Sequence, residues 1–343
     1  MAETVRFGLI GYGLWGRHHA TALQTAPGAA LSGIACASEA TAATAARDHP
    51  DVPATIGYQP LLERADIDAV VIVVPNHLHA DVGVAALRAG KDVLLEKPMA
   101  TTREGCDALI DAARVSGRVL TVGHELRLST QFGGIKRIID AGEIGTPAYA
   151  NFSLFRFAFR PGSQGWRYDA GRIGSWILEE PVHVFDLAMW YFAALGDPIS
   201  VQAAGIVGAR GAAMCDSFTA ILRFPGGAHA VISQTLGGFE YHQILNLVGS
   251  EGAIRAFWSG AMDRATHPTF ALHVQRRGST GAEPLPIGPS GELVELNAQA
   301  REVVLALRER RPLVSGDEAR KPVIACLAAE QSIRENREVP LRF

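Results

Sequence analysis

Three short stretches of this 343-residue chain combine residue types and spacings able to do chemistry. Gly11-Tyr12-Gly13-Leu14-Trp15-Gly16 is a G-x-G-x-x-G hexamer. In such a turn the first glycine permits a tight reversal and the second lets a pyrophosphate approach the backbone. The third lets the following helix pack closely on the strand before it. Unpaired N–H groups and partial positive charge at the helix start favour phosphates. The second stretch is Glu96-Lys97-Pro98. Of 32 basic residues only Lys91, Lys97, Lys136 and Lys321 are lysine, and a lysine, unlike an arginine, releases a proton readily when its surroundings change. Lys97 can donate to a substrate oxygen and relay a proton. Glu96 can orient its ammonium, and Pro98 restricts Lys97 to extended backbone. The third stretch is Glu179-Glu180-Pro181-Val182-His183, followed by Asp186. Pro181 suits the first turn of a helix and acids favour that end. His183 sits one turn in, on a helix with Leu187, Ala188 and Trp190, where a lone histidine is ordinarily a core residue. Asp186 either orients that ring or anchors the helix to a loop.

The hexamer follows a strand and opens a helix, the context that makes it a dinucleotide site. An acidic residue about 20 residues further on would bind the ribose hydroxyls of NAD, whereas an arginine would accept the 2′-phosphate of NADP. The second strand ends Cys36-Ala37-Ser38-Glu39, and no Arg or Lys lies between Arg17 and Arg47. The expected cofactor is NAD through Glu39, with NADP possible because Ser38 suits either.

The elements that must position these residues alternate. Residues 5–10, 31–37, 69–74, 92–95 and 119–122 read as strands. Segments 14–25, 40–47, 79–89 and 103–116 read as helices, two of them stopped by Gly90 and Gly117. Strands separated by helices of this size require right-handed crossovers and a parallel sheet. Lys97, just past its strand, then stands at the edge where such sheets bind ligands. After about Gly123 a helix is expected over 131–141. Strands over 148–157, 199–207, 217–224, 228–235, 243–248 and 253–258 follow, several joined by short glycine-rich turns, which predicts a mostly antiparallel sheet. Helices are expected over 181–194, 291–311 and 316–336. The expected architecture is α/β, with a doubly wound Rossmann domain at 1–123 and an α+β domain at 124–343 for substrate binding and oligomerisation.

Composition excludes several classes. Thirty-two basic against 35 acidic residues give a net charge of −3, no footprint for nucleic acid or an anionic membrane. The longest aliphatic run, 69–74, falls far short of the roughly 20 residues a bilayer span needs. The start shows no basic region or cleavage site of a signal peptide, so a cytoplasmic protein is expected. Cys36, Cys106, Cys215 and Cys326 stand far apart and suggest neither a zinc site nor a disulfide framework.

Beyond these local readings, Gly11 to Ala20, Val74-Pro75-Asn76-His77-Leu78-His79 and Ala89 to Pro98 together resemble the glucose–fructose oxidoreductase/inositol dehydrogenase (Gfo/Idh/MocA) family. The likeness continues through Ala141-Gly142-Glu143-Ile144-Gly145, residues 176–191, Gly249-Ser250-Glu251-Gly252 and residues 317–323. The resemblance implies an NAD(P)-dependent oxidoreductase moving a hydride between a sugar, polyol or cyclitol carbon and nicotinamide. It implies a catalytic Lys97, an acid/base His183, and Pro75, Asn76 and His79 near the nicotinamide. In the family's Asp-x-x-x-His signature Glu179 takes the aspartate position and Pro181 the usual glycine, a departure at the residue expected to tune His183. The open sheet of such proteins lines the site and often forms an oligomer interface. Arg156, Arg160, Arg167 and Arg172, bracketing Trp166 and Tyr168, either bind substrate hydroxyls or hold a loop or subunit interface. His242, reached after Gly237-Gly238-Phe239-Glu240-Tyr241, is a further candidate for the pocket. Two rival activities share this pattern: redox-neutral, NAD-dependent glycoside cleavage, and nucleotide or sugar sensing without turnover.

Overall fold

A computed structural model describes residues 4–208 and 213–343. The chain divides into two compact units, Met1–Glu125 with Leu296–Arg320, and Leu126–Glu295 with Lys321–Phe343.

The first unit is a six-stranded sheet of β1 (Val5–Ile10), β2 (Ala29–Cys36), β3 (Ala54–Ile56), β4 (Ala69–Ile72), β5 (Asp92–Glu96) and β6 (Leu120–Gly123). Its order is β3-β2-β1-β4-β5-β6, and every pairing is parallel. This is the doubly wound order that binds dinucleotides. Helices α1 (Leu14–Thr25), α2 (Glu39–Asp48), α3 (Gln59–Leu62), α4 (His79–Arg88) and α5 (Arg103–Ser116) make the crossovers. Their ends follow local chemistry. The Thr102 hydroxyl accepts from the Gly105 N–H at the start of α5 (3.1 Å). Gly117, at φ +65°, closes its end, a conformation that costs glycine nothing.

Core residues Phe7, Leu9, Ile34, Val71 and Leu94 pack with Val303, Val304 and Leu307 from the tail. Residues 296–320 therefore fold with the first unit, although the sequence placed them with the second. The apolar Val303-Val304-Leu307 stripe has no strand periodicity to declare its partner. Strand β3 also went unread, because Ala-Thr-Ile is too short to form a periodic run.

In the second unit, α6 (Phe132–Asp140) leads to β7 (Pro147–Phe155), then α7 (Ala170–Ile173), α8 (Trp176–Glu179) and α9 (Pro181–Tyr191). Strands β8 (Ser200–Val207), β9 (Cys215–Arg223), β10 (His229–Thr235), β11 (Tyr241–Gly249), β12 (Gly252–Gly260), β13 (Thr269–Arg276), β14 (Glu283–Leu285) and β15 (Val339–Pro340) follow. The sheet order is β14-β13-β12-β11-β7-β10-β9-β8-β15. Its pairings are antiparallel apart from β7 with β10. The last three strands in sequence were not anticipated. Helix α9 covers one face. Tyr191 stacks on Phe152 with centroids 6.2 Å apart, and Phe192 stacks on Phe224 at 4.7 Å. The other face carries Phe155, Ile244, Val248 and Phe257, each about two-fifths exposed. Among the described residues no helix is long and apolar enough to cross a membrane.

Candidate active site

The glycine turn connects β1 to α1. Gly11 has φ +101°, and a Cβ there would lie 2.2 Å from the Val73 carbonyl oxygen; one on Gly16 would lie 2.0 Å from the Gly11 oxygen. Both approaches are closer than any side chain permits. At Gly13, the residue that caps α1, a Cβ would meet nothing within 4 Å. The first glycine thus lets the turn meet the segment after β4 and the third lets α1 close on the turn, while the second leaves an open backbone surface. The first turn of α1 carries no acid, so Leu14, Trp15 and Gly16 present N–H groups without a competing carboxylate. An anionic pyrophosphate fits this cradle. Past β2, the Ser38 hydroxyl accepts from the Thr41 N–H (3.3 Å) as the cap of α2, and exposed Glu39 is the first residue of that helix. A carboxylate there complements the helix dipole.

All six strands run in parallel, so β1, β4, β5 and β6 deliver the Gly11 turn, Pro75-Asn76, Lys97 and His124 to the same carboxyl edge of the sheet. Asn76, His79 and His124 are buried there, and Lys97 is half-buried. Glu96 does more than face its neighbouring ammonium. Its Oε1 lies 2.7 Å from His19 Nε2, with both side chains buried. The Lys97 backbone N–H donates to Glu96 Oε2 (3.3 Å). Burial pushes the Glu96 carboxyl up, yet the His19 hydrogen bond, the His19 and Lys97 charges and the Trp15 indole outweigh it and hold the group below its ordinary value. His79 lies with Nδ1 2.6 Å from the Pro98 carbonyl oxygen and Nε2 2.9 Å from that of Val74.

In the second unit, Glu179 ends α8 and Glu180 immediately precedes α9, with Pro181 at its first position. Glu180 stands at the N-cap of α9, but its side chain makes no capping hydrogen bond. Glu179 Oε1 accepts from Arg167 Nε (2.6 Å), and Glu180 accepts from the Tyr241 hydroxyl and pairs with Arg156. Burial raises the Tyr241 phenol far above its ordinary value. His183 is buried one turn into α9. Asp186 accepts two hydrogen bonds from Arg127 at 2.7 and 2.8 Å.

The structure brings Glu179, Glu180, His183, Arg167, Arg156 and Tyr241 to the start of α9. Trp166 is buried with Phe159, Ile173, Trp176, Met214 and Leu236 in a loop core, and the Arg167 guanidinium lies 4.5 Å from its ring centroid. Exposed Arg160 contacts Met262 Sδ at 3.1 Å. The face taken by His242 is set by strand alternation. Tyr241 faces the covered side of the sheet, so His242 faces the open one, stacked on Phe155 at 5.0 Å. Sequence reasoning passed over His19, Arg127 and Tyr241. A four-residue step from Trp15 to His19 along α1 was the one local signal for the first; the acids that the other two engage lie far along the chain.

A doubly wound domain with an intact phosphate cradle and a lysine at its carboxyl edge defines a dinucleotide-binding protein. Residues 5–124 match the model described as the oxidoreductase family with NAD-binding Rossmann fold, and residues 132–255 match the GFO/IDH/MocA C-terminal domain. The chain is similar to an inositol 2-dehydrogenase of Rhizobium meliloti (strain 1021), 31% identical over 258 residues, covering 74% of this chain and 76% of that one. It is 33% identical over 229 residues to the uncharacterized oxidoreductase YdgJ of Escherichia coli (strain K12), covering 66% of this chain and 63% of that relative's length. An oxidoreductase domain protein from Kribbella flavida shares the fold with a TM-score of 0.87, at 23% identity over 99% of this chain and 100% of that one. The chain belongs to the Gfo/Idh/MocA oxidoreductase family, whose N-terminal domain binds NAD.

Proposed function

We propose that this protein is an NAD-dependent dehydrogenase or reductase acting on the carbinol carbon of a polyol, sugar or cyclitol. The observation that carries the reading is the shared carboxyl edge of the first unit, where the Gly11–Gly16 cradle and Lys97 emerge from strands of one parallel sheet. Gly11, Gly13, Leu14, Trp15 and Gly16 would hold the pyrophosphate, and Glu39 the adenosine ribose. Pro75, Asn76 and His79 would border the nicotinamide side. NAD supplies the hydride acceptor. Lys97 donates to the substrate oxygen and shares the proton relay. In the second unit, His183 takes the hydroxyl proton, and Glu179, held by Arg167, tunes it. Arg160 and Trp166 would contribute to substrate contacts through the same loop. The exposed Glu39 carboxylate would repel a 2′-phosphate, which favours NAD over NADP. The similarity to an inositol 2-dehydrogenase supports a cyclitol or related polyol.

The partner is a small molecule, together with a second copy of the chain. Phe155, Ile244, Val248 and Phe257 on the open sheet face form an apolar surface suited to self-association, with His242 among them. Sedimentation of Ile244→Lys should show a smaller species than the parent protein.

The functional reading is tested by following reduced-nicotinamide absorbance with inositols, sugars and polyols, supplying NAD and NADP separately. A rise with NAD and one substrate class is expected. A flat trace across the panel from protein that binds nucleotide, with cleavage of a glycoside instead, would replace dehydrogenation by the redox-neutral activity.

A further inference from the structure

We propose that His19 and His79 are positioning residues that hold Lys97 through its two chain neighbours, so that the helix opened by the glycine turn also sets the lysine. The inference rests on the reading of Lys97 given above. His19 Nε2 lies 2.7 Å from Glu96 Oε1, their side chains 3% and 6% exposed. Trp15, one turn earlier on the same face of α1, hydrogen-bonds the same carboxylate, which also accepts from the Lys97 backbone N–H (3.3 Å). On the other side, His79 at the start of α4 reaches the Pro98 carbonyl oxygen (2.6 Å) and the Val74 carbonyl oxygen (2.9 Å). Residue 96 is thereby tied to α1, and residue 98 to α4 and the segment after β4.

These contacts come from two different helices and converge on the residues either side of a single lysine. Gly123 is the strand partner of Glu96, and a Cβ there would lie 3.2 Å from Glu96 Oε1. The neighbouring strand is thus kept small where the carboxylate must sit. With residues 96 and 98 both held, the backbone at Lys97 has little room to shift. That matters because a displacement of about 1 Å in a reacting group can cost about 100-fold in rate. A nucleotide seated on the N-terminus of α1 and the lysine would share one rigid support, formed by Trp15 and His19 one turn further along.

The test uses the full-length protein with His19→Leu, His79→Leu and the donor-retaining His19→Gln and His79→Asn. One readout needs no cofactor: acylation of Lys97 by a small amine-reactive ester, followed by peptide mass spectrometry. With four lysines in the chain, Lys136 and Lys321 serve as internal standards. The leucine variants should change the Lys97 labelling rate by at least about threefold without moving the standards, and the donor-retaining variants should restore it. In turnover, kcat of His19→Leu should fall about tenfold or more while KM for NAD and polyol stays within about threefold. Unchanged Lys97 labelling and kcat beside a lowered Tm would overturn the proposal, as would equal changes at every lysine. Should the leucine variants not fold, Glu96→Gln carries the test, because it keeps the shape and weakens the His19 bond; its Lys97 labelling rate should also change, and an unchanged rate would overturn the proposal. If the parent protein forms no NADH with any polyol, the functional reading fails and the labelling experiment alone decides the clamp.

Discussion

The two chemistry-bearing regions are held in place by different means. Around the glycine turn, position is set by backbone: Gly11 lets the turn meet the Val73 carbonyl and Gly16 lets α1 meet the turn where any side chain would collide, and parallel strands carry Lys97 to the same edge. Around the start of α9, position is set by side-chain charge. Arg167 holds Glu179, Arg156 and Tyr241 hold Glu180, and Arg127 holds Asp186. A backbone-built region tolerates little change in residue size. A charge-built region depends on each partner being present, because a buried ion pair is costly to break from one side.

That contrast can be broken in order of expected effect. Arg127→Met removes the guanidinium that grips buried Asp186 and should destabilise the protein by about 3 kcal/mol, read from the denaturation midpoint in urea. Gly16→Ala drives a methyl into the Gly11 carbonyl and should cost about 2 kcal/mol together with nucleotide binding. Gly13→Ala is its control. The open surface there should leave stability within about 0.5 kcal/mol while NADH affinity, followed by fluorescence titration, falls. If Gly13→Ala and Gly16→Ala behave alike, the division of labour among the glycines is wrong.

The smallest effect concerns the support of α8. Burial raises the Glu330 carboxyl to about 7 from an ordinary value of 4.5, against the opposing Ser175 hydrogen bond and the Arg334 charge. Ser175 caps α8, the helix that ends in Glu179. The folded chain keeps this proton where the unfolded chain has lost it. Stability from this group is therefore complete below pH 4.5, declines as pH rises towards 7, and is lost above it. Glu330→Gln should match the parent protein near pH 4 and exceed it at pH 8, read as Tm against pH. A constant difference across that range would contradict it.

The same contrast explains what could be read from sequence. Glycine spacing, the buried Ala69–Ile72 strand and the Gly117 stop are local signals, so the parallel domain and its phosphate turn were legible. The partners of Glu179, Glu180 and Asp186 lie from 12 to 61 positions away, and no local pattern announces them. Glu179 and Glu180 read as helix-end charges, yet both are engaged by residues from distant segments. His242 and Tyr241 are adjacent in sequence, and only the strand's alternation decides which of them faces the covered side. The return of Val303, Val304 and Leu307 to the first core is a tertiary fact of the same kind.

The central claim is that Lys97 performs chemistry beside a nucleotide held by other residues. Lys97→Met should therefore be compared with the parent protein by titrating NADH and by following NADH formation from NAD and the preferred polyol. NADH affinity should stay within about threefold while the rate falls by about 1,000-fold. A variant that keeps its rate would contradict it.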